Sequence, residues 1–190
     1  VDTALFIMDE RFYQLSRPEI YVDMQTCGKA KPQCNPNTVV GHIEDYLNKV
    51  TSKGGYGFRL FTVPGLLVAH LPEPMDVALK RGWESKAYNK ALLSVDAAIS
   101  DVIELYRAHN VLGKTMVVVT GLNGKVMGEN GQTNGSLGTK THGGASVPWI
   151  AWGANVKSGH QIQHPVSIMD TGATVMESLG LETHTEWQSE

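Results

Sequence analysis

The chain has 190 residues, 42% of them hydrophobic, enough for one domain with a proper core. A net charge of −3 and a pI near 6.2 exclude the basic footprint of a nucleic-acid-binding domain. No apolar run reaches the roughly 18 residues that a membrane span needs; the longest, Phe61 to Leu71, is broken by Pro64 and Gly65 and reads as a core strand.

The sequence opens at Val1 with neither an initiator Met nor a signal peptide, and reads as a processed product or as part of something longer. Ala4 to Met8 is apolar and predicts a strand. Cys27 and Cys34 then enclose six residues rich in Gly, Lys and Pro. That spacing suits a small disulfide-closed loop, which would place the chain in an oxidising compartment, secretory or organellar such as the mitochondrial intermembrane space. Two free thiols in a cytosolic loop are the plainer alternative. Zinc is not expected there, because two sulfurs lack the other two ligands of a closed tetrahedral site.

Asn37 can cap a helix that carries Val39, Val40, Ile43, Tyr46, Leu47 and Val50 on one side, stopped by Gly54-Gly55. Leu66 to His70 is the next buried-strand candidate, after which Leu71-Pro-Glu-Pro74 turns the chain out of the sheet. From about Ser85 to Ala108, Tyr88, Leu92, Val95, Ile99, Val102, Ile103 and Tyr106 recur at helical spacing. Asn110 to Gly113 ends that helix and Lys114-Thr115 leads into Val117-Val118-Val119-Thr120. Three β-branched residues in succession predict a strand buried on both faces, as in a parallel sheet covered by helices. Val147 to Trp152 is a further strand, and Asp170 can cap a last helix with Val175, Met176 and Leu179, ended by Gly180. Strands alternating with helices predict an α/β fold with a mainly parallel central sheet flanked by helices, in one domain spanning 1–190.

Ligands in open α/β sheets sit beyond the C-terminal ends of strands. The glycine-rich segment from Gly121 to Gly144 is therefore where chemistry belongs, and Leu122-Asn123 suits it poorly. Met75 and Leu79 stand where a strand opens into a turn, but are apolar. Asp76 and Lys80 beside them, four apart, read as a solvated pair worth a few tenths of a kcal/mol. His142, in Thr141-His-Gly-Gly144, has room for a ligand, although a lone His is more often structural. His70 lies in an apolar strand and reads as a core or edge residue; His160, His164 and His184 lack ligand spacing. Neither GxSxG nor a P-loop is present, and the glycines match no dinucleotide fingerprint. Asn134-Gly-Ser136 is a glycosylation sequon of a kind common by chance.

The order of blocks now resembles a family. Leu71-Pro-Glu-Pro and Gly82-Trp83 come first, then a long helix with Val95-Asp96, then Lys114-Thr-Met-Val-Val-Val-Thr120 and His142-Gly-Gly. Val147-Pro-Trp-Ile-Ala-Trp-Gly153-Ala-Asn-Val-Lys-Ser-Gly159, Pro165-Val-Ser-Ile-Met-Asp170 and Leu179-Gly-Leu181 follow. Together they resemble the alkaline phosphatase superfamily, in its sulfatase and nucleotide pyrophosphatase/phosphodiesterase branch, over about residues 56–187, with the strand near Ala4 less surely included. The resemblance implies hydrolysis of phosphate or sulfate esters by two metal ions, commonly zinc, and a Ser/Thr or modified Cys nucleophile. Two cations about 4 Å apart clamp the attacking and leaving oxygens.

Laid on this sequence, the family's Asp-x-x-x-His falls on Met75 and Leu79. A shift of one residue recovers Asp76 but puts Lys80 in the His position. The family's Asp-His-Gly falls on Leu122-Asn123-Gly124, and His142 alone matches a metal ligand. The first-strand Asp and the nucleophile are expected before Val1, in an N-terminal part that this sequence lacks. A thioether, two leucines and an amide cannot replace carboxylates and imidazoles, so no metal or other cofactor is expected. The implied function is that of a catalytically inactive, structural or accessory subunit. Alternatives are a metal-dependent phosphodiesterase or sulfatase whose missing half comes from another chain, and an anion-binding module using Lys80, Lys140 and His142. Without the absent strands, Val117–Thr120 or Ala4–Met8 would present an unpaired apolar edge, predicting stable assembly with other protein chains.

Overall fold

The computed structural model describes residues 2–8, 22–26, 35–51, 63–124, 146–164 and 166–183. The chain divides into two compact units, one within Val1–Val111 and one within Leu112–Gln132 and Ser136–Glu190. The fold is one of mixed helices and strands with a small parallel sheet. Among the described residues, no helix is long and apolar enough to cross a membrane.

In the first unit, β1 (Thr3–Ile7) lies between β2 (Val22–Thr26) and β3 (Leu66–His70), all parallel. Thr3 is level with Val22 and Leu66, and Ile7 with Thr26 and His70. The strand expected over Ala4–Met8 therefore forms, but it is not an edge: it is paired on both sides, and Ala4, Phe6 and Ile7 are buried. β3 differs from expectation in the other direction. Among the described residues it has one neighbour, and Val68 is 39% exposed. An apolar run marks a strand but does not say how many of its faces are covered.

Helix α1 (Pro36–Thr51) packs against β1 and against α3 (Lys86–Ala108). Val39, Ile43, Leu47 and Val50 recur every three or four residues, so they share one face, and all four are buried. Fully burying such side chains stabilises the fold by about 1.5–3 kcal/mol each. Tyr46 meets Phe6 edge-to-face, with ring centroids 5.6 Å apart. The cap is not Asn37 but Asn35, whose Oδ1 accepts the Thr38 N–H at 3.1 Å while Thr38 Oγ1 accepts the Asn35 N–H at 3.4 Å. Pro36 follows at the first helical position, where its missing N–H leaves nothing unsatisfied. The Asn-Pro pair was the sequence signal.

The chain does not simply turn out of the sheet after β3. Two residues on, α2 (Glu73–Arg81) begins, and it packs against α3. Prolines 72 and 74 stand before and within its first turn, a place where proline is tolerated. Glu73 and Asp76 occupy the first turn and Lys80 and Arg81 the last, as the helix dipole favours. α3 starts where expected. Ser85 caps it, its Oγ accepting the Tyr88 N–H at 3.1 Å. The buried positions of α3 are Ala91, Ala98 and Tyr106, whereas Leu92, expected inside, is 43% exposed. Small side chains let neighbouring helices approach, and the larger Leu92 is left beside that contact.

In the second unit, a short 3₁₀ turn (Leu112–Lys114) leads into β4 (Met116–Thr120), which pairs antiparallel with β5 (Trp149–Gly153). The parallel pairing and double-sided burial expected of Val117–Thr120 are not found among the described residues: β4 is half-buried over Met116–Val119 and exposed at Thr120. β-branched residues specify an extended backbone, not the direction of its partner. On β5, Trp149 and Ala151 are half-buried while Ile150 and Trp152 are exposed, the alternation of a sheet with one open face. Gly153 ends the ladder at φ 103°, and a Cβ there would collide with the Thr115 carbonyl oxygen, which accepts the Ala154 N–H at 3.0 Å.

Helix α4 (Asp170–Ser178) is tied to β5 by Trp149 Nε1, which donates to Thr171 Oγ1 at 2.9 Å. Asp170 is inside the first turn instead of capping it. Its carboxylate reaches back to accept the Ser167 N–H at 2.7 Å. At the other end the Gly180 N–H donates to Glu177 O and the Leu181 N–H to Met176 O, both at 2.9 Å. Gly180 has φ 68°, so it provides the left-handed stop expected of it.

Candidate functional site

His70 ends β3, Leu71-Pro72 connects, and α2 then runs to Arg81. Because α2 is helical, residues four apart lie on one side of it. Met75 and Leu79 therefore share a face; Met75 is half-buried and Leu79 is 40% exposed. Asp76 and Lys80 are one position further round, and both are exposed. The far end of α2 closes on Gly82, whose N–H donates to Ala78 O at 2.8 Å. Trp83 then stacks edge-on against Tyr88, with centroids 5.3 Å apart.

In the second unit, β4 runs out at Thr120 into Gly121-Leu122-Asn123-Gly124. Leu122 is 63% exposed and Asn123 is half-buried. Met75, Leu79 and Lys80 thus share one helix of the first unit, and Leu122 and Asn123 share one turn of the second. Lys140, His142, Cys27, Cys34 and Asn134 lie outside the described residues. Among the described residues, no cluster of three or more His, Cys, Asp or Glu could hold a metal ion.

At the positions of Met75 and Leu79 the chemistry of α2 does not fit a zinc-type centre. Zinc takes thiolate, imidazole or carboxylate, and harder cations take oxygen. The Met75 thioether is a soft ligand of the kind suited to copper(I), and Leu79 has no lone pair. Lys80 has none either while protonated.

One feature of this region escaped sequence reading because α2 itself did. Between α2 and α3 lies an open groove of about 470 Å³, lined by Glu73, Val77, Ala87, Lys90, Ala91, Leu93 and Ser94. Its walls are mainly apolar, with one carboxylate, one ammonium and one hydroxyl. Glu73 Oε2 and Trp83 Nε1 are buried without a hydrogen-bond partner among the described residues.

Mixed helices and strands with a small parallel sheet are compatible with an α/β sulfatase-like fold, a fold of the alkaline phosphatase superfamily. A family profile, Sulfatase, matches residues 29–181, and the chain belongs to the sulfatase family. That is a family of hydrolases. The match begins ahead of the blocks from residue 56 onward and takes in α1 as well. A search of curated proteins finds no match.

Proposed function

We propose that this sulfatase-family chain is catalytically inactive and serves as a structural or accessory subunit of a larger protein complex. We read residues 1–190 as part of one alkaline-phosphatase-like domain. The observation that supports this is the side of α2 on which Met75 and Leu79 stand. The four-residue helical spacing that lets two ligands converge on one ion is kept, while the groups at those positions are a thioether and an isobutyl. Leu122 and Asn123, after β4, extend the same substitution to the family's Asp-His pair. The thioether and isobutyl groups at Met75 and Leu79 are unsuited to hold the metal that would act as Lewis acid or activate a nucleophile.

Family membership favours a second reading, that of a metal-dependent sulfatase or phosphodiesterase whose ligands come largely from another chain. A third reading is that of an anion-binding module using Lys80, Lys140 and His142.

The test is made on the purified protein after equilibration with zinc. Metal content is measured by mass spectrometry, and hydrolysis of p-nitrophenyl sulfate, p-nitrophenyl phosphate and bis(p-nitrophenyl) phosphate is followed in parallel. The expected result is far less than one zinc per chain and rates equal to the enzyme-free background. About two equivalents of zinc together with turnover abolished by chelation would overturn the proposal. Light scattering tests the assembly half of it, and a monodisperse 20.7 kDa species would count against it.

A further inference from the structure

We draw no further inference here: the strongest candidate, the exposed apolar face of β5 that carries Ile150 and Trp152 in the second unit, carries nothing because nothing in the structure shows what covers it.

Discussion

Asn35 has a larger hold on the first unit than its exposed position suggests. It supplies the first acceptor to α1, and Thr38 returns the bond. Asn35→Ala should lower stability by about 0.5–2 kcal/mol, the usual cost of losing such a cap. Asn37→Ala, exposed within the first turn, should stay within about 0.5 kcal/mol. Urea denaturation followed by far-ultraviolet circular dichroism separates the two, and equal losses would show that the cap is misassigned. Tyr106 acts through its proton. Burial pushes its phenol up to about 12 from the usual 10.0. Below pH 10 the phenol is neutral in the folded and the unfolded chain alike, and the full stability is present. Above it the unfolded phenol ionises while the buried one keeps its proton, so stability falls by up to about 1.4 kcal/mol per pH unit until the folded phenol titrates too. Tyr106→Phe should therefore flatten the decline between pH 10 and 12, as read from denaturation midpoints across that range.

At the scale of elements, α3 has one face that tolerates nothing and another that tolerates much. Ala98 is fully buried against its neighbours, whereas Leu93 is 70% exposed. Ala98→Leu should cost about 1–3 kcal/mol through overpacking, and Leu93→Gln no more than about 0.5 kcal/mol. Chemical denaturation of both variants checks this, and a tolerated Ala98→Leu would show that α3 packs more loosely than described. The limits of α3 were legible in the sequence because Ser85 is a strong cap and apolar residues repeat at helical spacing over about five turns. Its inward side was less so. The largest apolar residues were expected inside, yet two alanines seven apart mark the contact. α2 was illegible for a different reason: Pro-Glu-Pro is a turn signal and also a tolerated helix start, and the local sequence does not separate the two. Read as a turn, the segment puts Met75 and Leu79 at a strand end; as a helix, it puts them on one face.

For the whole molecule, the sequence blocks sufficed to place the chain in its superfamily, and the family match over residues 29–181 agrees. Strand pairing was the weaker part. The ladder of β4 runs antiparallel with β5, because an apolar pentapeptide encodes extension but neither the partner nor its direction. Side-chain type alone marks Met75, Leu79, Leu122 and Asn123 as poor metal ligands, and the fold adds that the first two share a face of α2 while the other two follow β4. Burial is also unevenly shared. Among the described residues, every buried hydrophobic side chain lies in the first unit, while the second joins a two-stranded ladder to α4 through Trp149 and Thr171. Two-stranded ladders are marginal alone in water, and regions with few buried apolar contacts open at lower free energy than the core. Deuterium uptake should therefore be fast at the amides of Met116–Thr120 and slow across Ile43–Leu47, and equal protection in mass spectrometry would contradict this. Among the described residues, a protease acting on such transient openings would cut the chain beyond Val111 before it cut α1, α2 or α3.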